Sequence, residues 1–395
     1  MSRVSVVLLF ALAIAGIAVG NARVTHASVA ADTLYGASWD HIVTIDQNDG
    51  SITPLAPQPG FVFIALAFDS AGRLFAAGLA CMSPGHCIPP PYHVLMELDP
   101  LTGEVVDIIG PVTDVSGSPL YMHALSVQPE TDVLFGFDYP SLSSPRMWTI
   151  DKSTAAATLV ASEVPAGCGD NCSRNDAFAF APDGTLYHTP GSPLVLMTLD
   201  PSTGAELTSL PIRLLPSNGG LAVRSDGILF TAHFLFAKPC PTCPPIPPRS
   251  IFTTIDPLTG AVTDVGAGEG RVYDLDFSPV VVELVDIDIK PGNDLNSINP
   301  MSRGVIPVAI LGSDTFDLAD VNLTTLAFGT DGAMPVHISG GHRKDVNDDG
   351  FTDLVSHFWS KETGIAFGDE EACVTGETLD GAPFKGCDTI VTRPQ

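Results

Sequence analysis

Ala65-Leu66-Ala67-Phe68, Asp69-Ser70-Ala71-Gly72, Leu74-Phe75 and Leu98-Asp99-Pro100-Leu101-Thr102-Gly103 are the pieces of one phrase, and its recurrence decides the fold. The first piece returns as Ala124-Leu125-Ser126-Val127, Ala177-Phe178-Ala179-Phe180, Gly220-Leu221-Ala222-Val223 and Asp274-Leu275-Asp276-Phe277. The Leu-aromatic piece returns as Leu34-Tyr35, Leu134-Phe135, Leu186-Tyr187 and Leu229-Phe230. The Asp-terminated piece returns as Ile45-Asp46, Ile150-Asp151, Leu199-Asp200 and Ile255-Asp256. Short strands repeating at roughly 50-residue spacing are the signature of a β-propeller. Asp, Pro and Gly after the third strand supply hairpin geometry, which reads the repeated Asp as a turn residue rather than a catalytic one.

The units number five, so the expected architecture over residues 32–280 is a five-bladed β-propeller. The chain enters on a second strand (Leu34-Tyr35) and leaves on a first strand (Asp274–Phe277). Pairing these two would close the ring and hide both edges. Small residues alternate along the first strands, as the crowded axis of such a ring requires. The fifth copy carries Asp274 and Asp276 in their place.

Residues 1–27 read as a secretory signal peptide: Arg3, an apolar run from Val4 to Val19, then small residues before a cleavage point after Ala27 or Ala30. The run is short for a membrane span, and an uncleaved anchor is the alternative. Removal takes away Arg3 and Arg23 and no acid, so a net charge of −27 becomes two units more negative. That surface disfavours nucleic acid and anionic lipid and favours divalent cations. A secreted or extracellular protein is expected, with the periplasm as an alternative and no stable membrane insertion. The eight cysteines fall in close couples, Cys81/Cys87, Cys168/Cys172, Cys240/Cys243 and Cys373/Cys387. In an exported chain these read as four local disulfides. Cys240-Pro241-Thr242-Cys243 also has redox or zinc spacing, but it lies in a Pro-rich loop without a second pair.

A boundary falls near Ser278–Val285. Beyond it Val285–Lys290 alternates as a strand does, and Val305–Leu311, Thr325–Phe328, Val336–Ser339, Leu354–Trp359 and Thr389–Thr392 are further strand candidates. Residues 284–395 are therefore expected to form a small β-sandwich. Within them lies Asp345-Val346-Asn347-Asp348-Asp349-Gly350-Phe351-Thr352-Asp353. Oxygen-bearing side chains at positions one, three, five and nine, with Gly at six, suit calcium, which takes six to eight hard oxygen ligands. The expected ligands are Asp345, Asn347, Asp349 and Asp353 through side chains and Phe351 through its carbonyl. Position twelve is Ser356, so the bidentate Glu of an EF-hand is missing.

This loop resembles the calcium loops of dockerins and, more closely, those of FG-GAP repeats. The stretch from Ile287-Asp288-Ile289-Lys290-Pro291-Gly292 through Val305-Ile306-Pro307-Val308-Ala309-Ile310-Leu311-Gly312 to the loop resembles a C-terminal module of secreted bacterial proteins. The repeats resemble NHL-type propellers in strand pattern. These resemblances imply a structural calcium ion and no particular activity.

The remaining candidate is the propeller mouth, where His123, Asn175, Asp176, Asn218, Tyr273, Asp274 and Asp276 are expected to converge on a cation or a small polar ligand. Gly-x-Ser-x-Gly, His-Glu-x-x-His and P-loop motifs are absent from the sequence. The first functional reading is a secreted, non-enzymatic binding or scaffold protein with an extracellular ligand or protein partner. The rival is a glycan hydrolase or lyase with Asp176 and Asp274 or Asp276 as its carboxylate pair. Only Trp39, Trp148 and Trp359 could serve as sugar platforms.

Overall fold

The computed structural model describes residues 30–83, 86–87, 93–139, 145–165, 177–190, 194–213, 218–235, 248–293, 295–337, 340–379 and 381–393. The fold is all-β and propeller-like. Residues 34–277 build five antiparallel sheets. The first joins Asp274–Phe277, Leu34–Ser38, His41–Ile45 and Ile52–Pro54. The second runs Phe61–Phe68, Leu74–Ser83, His93–Leu98 and Val105–Pro111, with His86–Cys87 beside its second strand. The third runs from Met122–Gln128 to Ala157–Ala161, the fourth from Ala177–Phe180 to Glu206–Pro211, and the fifth from Asn218–Val223 to Val262–Glu269. The last first-strand pairs with the first second-strand, Leu34 opposite Phe277 and Ala37 opposite Asp274. The five first strands neighbour one another in cyclic order.

Two repeated devices follow from the phrase. Ala65, Ala67, Ala124, Ala177, Ala179 and Ala222 are all buried, so the first strands approach closely. At Gly220 (φ +133°) a Cβ would stand 2.6 Å from the Leu275 nitrogen, which leaves room for glycine alone. After each third strand the Asp carboxylate accepts the N–H two residues on, at 2.8 Å in all five copies: Asp46, Asp99, Asp151, Asp200 and Asp256. Side-chain hydrogen bonds from Ser153, Ser202 and Thr259, and then these backbone bonds, hold the carboxyls of Asp151, Asp200 and Asp256 below their ordinary value. The repeated Asp is a turn former.

Beyond residue 282 two four-stranded sheets close on one apolar core. One sheet orders Glu283–Leu284, Pro383–Thr389, Glu371–Thr378 and Val321–Phe328. The other orders Ile287–Ile289, Val305–Ile310, Asp353–Trp359 and His342–Lys344. Ile289, Val308, Phe328, Phe358 and Val374 meet between them with no solvent exposure. Cys373 and Cys387 stand opposite each other on paired strands and form a disulfide with Cα atoms 4.0 Å apart. Backbone register also sets Cys81 opposite Cys87. Cys168, Cys172, Cys240 and Cys243, and the side chains of Cys81 and Cys87, lie outside the described residues. The strand expected at Val336–Ser339 is not one at its described residues, Val336 and His337, which form a bend.

Candidate functional site

The acidic loop turns sharply and is laced by hydrogen bonds from its own backbone. Asp348 and Gly350 take positive φ, 60° and 92°, to turn the chain back on itself. Asp345 Oδ2 accepts the Gly350 N–H at 3.0 Å, and its Oδ1 is enclosed with no hydrogen-bond partner. Asn347 Oδ1 accepts the Asp349 N–H at 3.2 Å, and Asp349 Oδ1 accepts the Phe351 N–H at 2.8 Å. Asp353 lies deeper than the other expected ligands. It is fully buried, Oδ2 accepts the Val346 N–H at 2.7 Å and Oδ1 accepts the Gly312 N–H at 3.0 Å. It ties the loop to its sheet from below, and both its oxygens are engaged by the backbone.

The described residues of the expected mouth lie at different depths along the first strands. His123 lies near the start of its first strand, 5.1 Å edge-on to the Tyr139 ring and 6.2 Å from His93. Burial, and then the neighbouring His123, push the enclosed His93 down to about 4. Tyr273 stands between Trp39 and Phe234, at ring distances of 6.2 and 5.6 Å. Asn175, Asp176 and the side chain of Asn218 lie outside the described residues.

Asp274 and Asp276 depart from the mouth, for a physical reason. Each first strand has one edge facing the axis, and N–H groups there need acceptors. Asp274 is fully buried, and its Oδ2 accepts the N–H groups of Leu66 and Leu125, both at 3.1 Å. Asp276 Oδ2 accepts the Phe68 N–H at 2.7 Å. The Ser126 hydroxyl does the same for the Phe180 N–H at 3.0 Å. The carboxylates thus plug the axis where the other copies carry small residues. Burial pushes Asp274 well above the usual carboxylate range, against the pull of its N–H donors. Burial also pushes the half-buried Asp276 up to about 7.

Asp276 opens at the end of the first strands opposite His123. A cavity of about 310 Å³ lies there, lined by Phe68, Ser126, Phe180, Val223, Asp276 and Phe277 among others. At its rim Asp32 accepts the Ser225 N–H at 3.0 Å and the Ser225 hydroxyl at 2.6 Å. The sequence reading passed over this cavity, whose signal was the large apolar residue closing each first strand. It also passed over the cluster of His337, His342 and His357, where burial and then the two neighbouring imidazoles push His357 below its ordinary value. Glu371 lies beside Cys373 and Cys387, but those sulfurs are joined to each other.

No family model matches the chain, and no curated protein matches it in sequence. Solved structures do match. A protein of unknown function from Bacteroides caccae aligns over 63% of this chain and 99% of its own, at 11% identity and a TM-score of 0.36. One from Bacteroides thetaiotaomicron VPI-5482, also of unknown function, aligns over 64% and 66%, at 14% identity and 0.38. An α-L-arabinofuranosidase from Clostridium thermocellum aligns over 65% and 82%, at 10% identity and 0.35. These neighbours are multi-sheet, all-β, propeller-like proteins, and likeness at this level carries no activity across to this chain.

Proposed function

We propose that this chain is an exported, non-catalytic binding or scaffold protein, built as a five-bladed propeller followed by a calcium-stabilised β-sandwich. The observation that carries the non-catalytic reading is the engagement of Asp274 and Asp276. Retaining and inverting glycosidases need two carboxyls flanking a substrate-accessible cleft, about 5–10 Å apart. In the expected pair Asp176 lies outside the described residues, and both candidates for its partner, Asp274 and Asp276, hold backbone N–H groups, one of them sealed from solvent.

Calcium is supported by the orphaned Asp345 Oδ1. A buried carboxylate oxygen without a partner is costly, and a hard cation relieves the cost. Asp345, Asn347 and Asp349 would hold the ion with the Phe351 carbonyl, while Asp353 braces the loop. The likeness to dockerin and FG-GAP loops agrees with this assignment. Export is supported by the apolar segment after Arg3 and by the Cys373–Cys387 disulfide. Among the described residues no helix is long and apolar enough to cross a membrane. The partner proposed is an extracellular ligand or protein, with nucleic acid disfavoured by charge.

The deciding experiment compares the secreted protein and its Asp276→Asn variant on a panel of glycosides and polysaccharides. No turnover by either protein is expected. Turnover that disappears in Asp276→Asn would replace the scaffold reading with the hydrolase one.

A further inference from the structure

The histidine cluster lies outside both the axis and the acidic loop, and backbone geometry assembles it. His342 opens the strand His342–Lys344, where it stands opposite Val355 of Asp353–Trp359. Side chains two apart share a face of a strand, so His357 lies diagonally beside His342. His337 is brought back by a tight return. The Gly340 N–H donates to the His337 carbonyl at 2.9 Å, and the buried Ser356 hydroxyl donates to the Gly340 carbonyl. At Gly341 a Cβ would stand 2.2 Å from the Val355 carbonyl oxygen, so the return passes flush against the strand. The Val336 N–H donates to the His357 carbonyl at 2.8 Å.

The result is a near-equilateral triangle of imidazoles, with ring centroids 5.7, 6.1 and 6.3 Å apart. His357 is half-buried, and its Nδ1 is enclosed without a hydrogen-bond partner. His337 and His342 are exposed, which leaves their rings free to turn a nitrogen toward the common centre.

We propose that His337, His342 and His357 bind one divalent first-row transition ion of the zinc class. Imidazole suits zinc, copper and nickel, whereas calcium takes oxygen ligands, so this site and the acidic loop select different metals. Zinc–nitrogen bonds of about 2.0–2.1 Å set the centroids of three ligating rings roughly 5–5.5 Å apart. The centroids therefore stand about half an ångström too far from a common centre, and the rings must also turn, because their nitrogens do not all lie within 4.8 Å of one another. Three imidazoles leave a fourth position for water or a donor from a bound molecule. A net charge of −27 raises the local concentration of any cation.

The test titrates the tag-free full chain with zinc chloride in saturating calcium, by calorimetry, and repeats it with cobalt(II) to read the visible absorption of a tetrahedral site. One equivalent of zinc should bind. His357→Ala and His342→Ala should each weaken binding by at least about tenfold and remove the cobalt band. A large excess of calcium should displace neither the zinc nor the cobalt band, which separates this proposal from the calcium one. His342 is exposed at a strand end, so its variant reports on ligation even if His357→Ala unfolds. Zinc binding untouched in His337→Ala and His342→Ala, or no binding to the unaltered chain at about 100 µM zinc, would overturn the proposal.

Discussion

The two regions of this chain use aspartate in opposite ways. Within residues 34–277, acids complete the backbone. Five of them close hairpin turns, and Asp274 and Asp276 accept N–H groups that face the axis. Within residues 345–353 the backbone completes the acids only in part, and one buried oxygen of Asp345 is left over. Burial with no cation nearby raises a carboxyl's pKa, whereas convergent oxygens on a loop suit a hard cation. The same residue type thus serves as internal filler in one region and, on the proposed reading, as a ligand set in the other.

The largest effect that tests this contrast is calcium removal. An ion that binds only the folded form stabilises it by about 4 kcal/mol at a thousand times its Kd. Chelation should lower the melting temperature of the transition that exposes residues 283–393, followed by hydrogen exchange. Asp345→Ala should abolish the calcium shift. Equal melting with calcium and with chelator would remove the contrast altogether. Next comes the axis. Ala67→Leu or Ala179→Leu adds volume where both alanines are sealed, and should cost about 1–3 kcal/mol in denaturant unfolding. An unchanged midpoint would mean that the first strands do not converge on a crowded axis.

A smaller effect is expected from Asp276→Asn. The folded carboxyl sits at about 7 against an ordinary 3.8. Between those values the folded form keeps a proton that the unfolded form has lost, so stability falls as pH rises from about 4 to 7. The cavity beside Asp276 admits water, which discounts the effect to about 1 kcal/mol. The amide cannot ionise but still accepts the Phe68 N–H, so the variant should flatten the slope and be the more stable form at pH 8. A slope identical to that of the parent chain would assign the pH dependence elsewhere.

The sheets were legible because each turn repeats its own chemistry: an Asp, followed by Pro in three of the five copies, and a Gly four residues on in four of them. The closing strand was legible because the chain ends its repeats on a first strand. The depth of Asp274 and Asp276 was not legible. A period of two sets both on one face, but how far along the axis they lie depends on the stagger of strands hundreds of residues away. The burial of Asp353 was not legible for a related reason. Its spacing fits a ligand, while its burial comes from Gly312 on a neighbouring segment. The strands Glu371–Thr378 and Pro383–Thr389 were not among the strands expected from the sequence, although Ala372, Val374 and Gly376 alternate inward. The three histidines span some twenty residues and meet only through the return at Gly340-Gly341, which composition does not announce.

The smallest effect probes the turn device at its one irregular copy. The fifth turn residue is Gly50, Gly103, Gly204 and Gly260 in four copies, with φ between 69° and 75°, and Ala155 with φ 59° in the other. All five donate an N–H to the carbonyl of the turn Asp, at 2.7–2.9 Å, so alanine has not changed the turn. Left-handed backbone costs a residue with a Cβ about 1–2 kcal/mol. Against that, the Ala155 methyl is fully buried in the core of the second and third sheets, where a methyl contributes about 0.8 kcal/mol. Glycine would in addition lose about 0.5–1 kcal/mol through its freer unfolded chain. The terms nearly cancel, so Ala155→Gly should move stability by less than about 0.5 kcal/mol in either direction. Gly204→Ala has no such compensation, because its new Cβ would stand 2.6 Å from that of Ala161. It should destabilise by more than about 1 kcal/mol. Urea unfolding of the two variants side by side measures the difference, and equal midpoints would show that the turns tolerate a Cβ wherever it falls.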